Sequence, residues 1–137
     1  PPPPADGVAK RSEKPIDETV FGPLREVDAE GAPGFLVGLI DKFLEGEGPT
    51  RMSALRDAVS RADAGLLVKA AHGLRGSSAV IGASPLAALC AKVEEMGRSG
   101  LVEGALRVLA QIEEEFPRVR KALMAERKSA APKRKTA

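Results

Sequence analysis

His72 is the only histidine among 137 residues, and it lies in the segment Leu66 to Ala83, LLVKAAHGLRGSSAVIGA. One His and one Cys cannot furnish the three or four ligands of a zinc site, and a single histidine excludes a two-histidine metalloprotease motif. Ser77 and Ser78 have no second His or Asp partner to complete a hydrolase triad. They read instead as small residues where helices approach. Gly76-Ser77-Ser78 is not a phosphate-cradling loop, because no strand precedes it and no Gly-Lys-Ser/Thr follows. An exposed imidazole can, however, act as a nucleophile toward phosphorus. Imidazole in water is mostly neutral near neutral pH, its ordinary pKa being about 6.5, so its lone pair is available.

The surroundings of His72 favour that chemistry. On a helical wheel of about 100° per residue, Leu67, Ala70, Ala71, Leu74, Ser78 and Ile81 share an arc of about 100°. His72 falls about 150° from the centre of that arc and points to water, with Gly65, Lys69, Gly76 and Ala79 on the same outer face. Gly73 and Gly76 lie within four residues of the ring, inside a helix, where each costs roughly 1 kcal/mol relative to Ala. Lys69 and Arg75 bracket the ring at i−3 and i+3, and no carboxylate stands at i±3 or i±4. One cause covers all three features. Once phosphorylated, the ring carries anionic oxygens to which Lys69 and Arg75 can supply charge-assisted hydrogen bonds. A missing side chain at Gly76 lets another protein's active site descend over the imidazole, and the small Ala79 keeps the landing surface flat. A lone exposed histidine is most often just a solvated residue, and the glycines could instead serve close helix packing. Gly76 points away from the core arc, which weakens that account.

The rest of the chain must present this helix. Hydrophobic residues make up 43 % of the sequence and aromatics only 3 %, so the core is built from Leu, Val, Ile and Ala, which favours helices over a sheet sandwich. Five or six helical segments are expected. Ile16, Val20, Leu24 and Val27 mark the first, and Phe35 to Leu44 the second. Gly46, Gly48 and Pro49 then interrupt, and Thr50 can cap a helix carrying Met52, Leu55, Ala58 and Val59. Asp63 caps the His72 helix and Gly82 ends it. Ser84 as N-cap with Pro85 behind it starts the next, in which Cys90 lies on the core stripe as a buried structural thiol. Val102, Ala105, Leu109, Ile112, Phe116, Val119 and Leu123 alternate steps of three and four, the seam of a bundle helix, with Pro117 removing one backbone bond and kinking it. Short connections make neighbours antiparallel. The expected fold is all-α: an antiparallel up-down four-helix bundle with one or two additional N-terminal helices.

Charge is uneven. Residues 126–137 carry five basic residues against one acid, while residues 15–125 hold 13 basic and 16 acidic. The division read from this is a Pro-rich flexible linker at 1–14, the bundle at 15–125 and a basic disordered tail at 126–137. A mildly acidic domain lacks the clustered positive footprint of a nucleic-acid binder. No apolar run approaches the roughly 18 residues of a membrane span and no signal pattern is visible, so neither nucleic acid nor membrane insertion is expected and the setting is cytoplasmic.

Ala71-His72-Gly73-Leu74-Arg75-Gly76-Ser77-Ser78, followed by Ile81-Gly82-Ala83 and Leu86, resembles the signature of histidine-containing phosphotransfer (HPt) domains, with Arg75 where that family usually has Lys. Cys90 and Glu94 also suit the family's following helix. The likeness spans about residues 33–124, its specific part 69–97. It implies a bacterial two-component phosphorelay intermediate. His72 would be the phosphoacceptor, usually through Nε2, taking the group from, and giving it to, the aspartate of a response-regulator receiver domain. Arg75 and Lys69 would position the phosphate, and Gly76, Val68, Ala79 and Gly73 would form the receiver docking face. The chain itself would bind no cofactor or metal, with Mg²⁺ on the partner receiver. It would lack autonomous catalytic machinery and form the C-terminal module of a hybrid sensor histidine kinase, as the Pro-rich start suggests. The alternatives are a non-catalytic helical adaptor or inhibitor that binds a receiver, and the phosphoacceptor domain of a chemotaxis-type kinase.

Overall fold

The computed structural model describes residues 13–130 and is all-helical, with no strand among the described residues. Helix α1 spans Glu18–Ala29 and α2 spans Phe35–Asp41. A π-helical turn at Lys42–Glu47 leads directly into α3, Gly48–Arg61. Helices α4, Ala64–Val80, and α5, Ser84–Ser99, follow, and a short 3₁₀ turn at Val102–Gly104 opens α6, Ala105–Ala130. The run from α2 through α3, with α4, α5 and α6, makes the up-down four-helix bundle, and α1 is the single additional N-terminal helix. Helix α4 packs most extensively on α5 and next on α3, so the helix carrying His72 lies between two neighbours.

The core is aliphatic as composition demands. Leu36, Ile40, Leu55, Leu67, Leu74, Ile81, Leu86, Ile112 and Leu123 are buried, with the rings of Phe43 and Phe116 5.9 Å apart among them. Each such side chain contributes about 1.5–3 kcal/mol by leaving water. The α4 arc lies inward as its periodicity requires, with Leu67, Ala71, Leu74, Ser78 and Ile81 buried and Ala70 half-buried. Burial pushes the Cys90 thiol up to about 12, so it stays protonated and inert at neutral pH. Among the described residues no helix is long and apolar enough to cross a membrane.

Four local expectations are corrected. Gly46, Gly48 and Pro49 do not interrupt the helix. Gly48 N–H bonds to Phe43 O, five residues back, and the chain passes through the π turn into α3, with Pro49 in the first turn where no intrahelical donor is needed. A Cβ at Gly48 would lie 2.6 Å from Phe43 O and 2.9 Å from Phe116 Cζ, so only glycine lets α3 start this close to α6. Thr50 is therefore helical rather than a cap. Ser84 is the first residue of α5, not its N-cap; its Oγ donates to Asp17 Oδ2 at 3.2 Å and ties α5 to the start of α1. The C-terminal boundary also moves. Helix α6 continues past Glu126 to Ala130, because Arg25 on α1 pairs with Glu126 at 2.7 Å and Arg127 pairs with Asp41 on α2 at 2.7 Å. Residues 1–12 and 131–137, most of the expected linker and tail, lie outside the described residues.

Other expectations stand. Asp63 caps α4 by accepting from Leu66 N–H at 3.0 Å. Gly82 takes the left-handed conformation just past α4, φ +79°, which suits glycine. Helix α6 runs through Pro117.

Candidate functional site

His72 stands at mid-α4 with its side chain 64 % exposed. Its Nδ1 lies 3.1 Å from Oε2 of Glu94, a residue of α5 that is only 1 % exposed. The same carboxylate receives Arg98 Nη2 at 2.6 Å and faces Arg75 Nε at 3.2 Å. Burial pushes the Glu94 carboxyl up, but the hydrogen bond from His72 and the charges of Arg75 and Arg98 outweigh it and hold the group below the ordinary glutamate range. Glu94 is thus ionised at neutral pH and can only accept. It follows that His72 Nδ1 donates to it, the tautomer that leaves the lone pair of a neutral ring on Nε2. Arg75 Nη2, 3.4 Å from Nδ1, cannot donate to a nitrogen whose lone pair is committed, so it stands beside the ring as a charge.

The arrangement is an exposed imidazole held by its inner nitrogen. A buried anion holds Nδ1, Nε2 has no hydrogen-bond partner among the described residues, and two arginines gather around the pair. A positive charge arising on the ring would be offset by the Glu94 carboxylate at Nδ1.

The other expected site residues divide. Arg75 is at the site. Lys69 is exposed one turn before His72 and forms no ion pair among the described residues. Gly76 and Ala79 are exposed on the same face, and a Cβ at Gly76 would meet nothing within 4 Å. Val68 is half-buried; a Cβ built on Gly97 would lie 2.7 Å from its Cγ2, so α5 covers much of it. Gly73 does not offer open surface. A Cβ there would lie 2.5 Å from Nη1 of Arg51, so the guanidinium of α3 rests over it. His72, Gly73 and Gly76 line a cavity of about 450 Å³ with Arg51, Leu39 and Val80.

Single-helix reasoning missed Glu94 as the histidine's partner, since the two are 22 residues apart. A signal existed: Glu94 stands one turn beyond Cys90 on the buried side of α5, and an acid on a core stripe demands a partner. Arg51 left no comparable trace.

The openness of Gly76 gives a direct expectation. With His72 as the phosphoacceptor that the resemblance implies, Gly76→Gln should slow phosphoryl transfer about tenfold or more by crowding the approach to the ring. The bundle melts at the same or a higher temperature, as Gln is a better helix former by up to about 1 kcal/mol. Unchanged transfer with this variant removes Gly76 from the landing surface.

The Hpt domain family model matches residues 39–122. A solved structure with a similar fold is the crystal structure of histidine-containing phosphotransfer protein B (HptB) from Pseudomonas aeruginosa PAO1. It is 32 % identical with a TM-score of 0.76, over 86 % of this chain and 98 % of that one. The curated proteins contain no match.

Proposed function

From the premise that this chain belongs to the Hpt domain family and carries out histidine phosphotransfer in a phosphorelay, we propose that His72 is the phosphoacceptor and Nε2 the attacked atom. Hpt domains partner with response-regulator receivers. On this reading the phosphoryl group arrives from a receiver aspartate and leaves to one. Nε2 forms the P–N bond as the P–O bond to the aspartyl carboxylate breaks, with the electron pair leaving on that carboxylate. The Nδ1 proton stays on the ring against Glu94. Such transfer asks for positioning and charge stabilisation more than for covalent work by the protein. Arg75 and Lys69 supply positive charge beside the phosphoryl oxygens. Mg²⁺ belongs to the receiver. The same reading puts the module in the cytoplasm, with a sensor kinase upstream.

The observation that carries this reading is the His72–Glu94 pair: a mostly exposed imidazole whose inner nitrogen is tied to a buried carboxylate. A receiver-binding adaptor without phosphate chemistry has no need of it. The test is transfer of ³²P from a panel of phosphorylated receiver domains. At least one should label this protein with an acid-labile, alkali-stable phosphate. Receivers that bind it yet never label it would favour the adaptor.

A further inference from the structure

Arg51, on the first turns of α3, lines the same cavity as His72. Three arginines elsewhere on the bundle meet carboxylates closely: Arg56 with Glu113 at 2.7 Å, Arg118 with Glu115 at 2.8 Å, Arg127 with Asp41 at 2.7 Å. Arg51 meets none among the described residues. Its Nε is shut from water with no hydrogen-bond partner. Glu47, one turn earlier and lining the same cavity, is engaged by Lys42 at 3.7 Å. A half-buried cation with no anion is costly unless it serves one that comes and goes.

Its position identifies that anion. The guanidinium rests over Gly73, the residue next to His72, in a space that any Cβ would take, 2.5 Å from Nη1. Arg51 and His72 open onto the same cavity. Glu94 and Arg75 hold the ring from the α5 side, and Arg51 arrives from α3, on the other flank of α4. Gly73 weakens the helix relative to Ala, and the seat it leaves for Arg51 is what that cost secures.

Resting on the phosphotransfer reading, we propose that Arg51 is a second phosphate-binding cation of the site, donating N–H groups to phosphoryl oxygens from the side opposite Arg75. As Nε2 forms its bond to phosphorus and the bond to the donor's oxygen breaks, the guanidinium keeps its protons and balances the oxygens' charge. Its planar fork suits two of those oxygens together, which an ammonium does not.

The test compares Arg51→Ala, Arg51→Lys and Gly73→Ala with wild type, each phosphorylated by a labelled receiver domain or by phosphoramidate. Three quantities are read: the transfer rate, the lifetime of the isolated phosphohistidine and its ³¹P resonance. Arg51→Ala should slow transfer about tenfold, shorten the lifetime at least twofold and move the resonance, and Arg51→Lys should recover part of the rate. Gly73→Ala keeps the arginine but displaces the flexible guanidinium, so it should slow transfer severalfold while melting no lower than wild type. Lifetime and resonance equal to wild type in Arg51→Ala would overturn the proposal, and a change confined to the KM for the receiver would make Arg51 a docking residue instead. Should Arg51→Ala fold poorly, an unaltered rate in Gly73→Ala overturns it equally. Failure of the wild-type protein to label at all speaks against the transfer reading and is seen before any variant is compared.

Discussion

His72→Gln is expected to abolish phosphate incorporation altogether, with the helical signal and the melting temperature close to wild type. Glutamine has no nucleophilic nitrogen, and the buried nucleophiles behind it cannot take its place. Cys90, the one thiol, is buried with its ionisation pushed up to about 12. Ser78 is buried as well, and the chain holds no second histidine. Folding should be spared because the ring is 64 % exposed and contributes little to the core. The measurement is labelling from a phosphorylated receiver, followed by acid and alkali treatment of the product. Unchanged relay output from a strain carrying this variant would mean that another group, or none, takes the phosphate.

The second large effect is expected at Glu94. Glu94→Ala removes the acceptor of the Nδ1 proton, so the ring samples both tautomers and loses the anion that offsets its charge after attack. Hydrogen bonds to charged groups are worth about 1.5–3 kcal/mol, which sets a loss of about ten- to a hundredfold in transfer rate. Glu94→Gln keeps a carbonyl oxygen facing Nδ1 but not the charge, and should lie between the two. Nitrogen NMR of the ring separates this from a merely structural role. Wild type should show Nδ1 protonated, Glu94→Gln the same, and Glu94→Ala a mixture. An undisturbed tautomer and rate in Glu94→Ala would remove Glu94 from the site. The pH dependence carries a definite sign. A carboxyl held below its ordinary value contributes stability that is fully present above about pH 4.3, the unfolded value, and is lost as pH falls through the folded one. Acid should therefore weaken the bundle and free the ring together.

The second prediction joins a residue whose exposure was legible in the sequence to a partner that was not. The exposure of His72, the burial of Leu67, Leu74 and Ile81, and the cap at Asp63 follow from steps of three and four along one helix. Such periodicity is a local property, since residues that share a face do so wherever the helix is placed. The open surface at Gly76 was legible for the same reason. Gly73, one residue after His72, looked like open docking surface because nothing along α4 announces the arginine that lies over it.

What the linear order of residues settled by itself is an all-helical chain with a single imidazole on the outer face of one amphipathic helix, next to a positive charge at Arg75. Tertiary structure alone decided which groups from other helices come to that imidazole and to Gly73 beside it. Glu94 comes from α5 and Arg51 from α3, and their meeting depends on the rotation and axial offset of each helix against α4. Those are set by how side chains interlock across the interfaces, at Gly97 against Val68 and at Gly48 against Phe116, and by the π turn before α3. No spacing within one helix encodes such a rotation. It emerges only when the apolar faces are buried together and the polar groups at their edges must find partners.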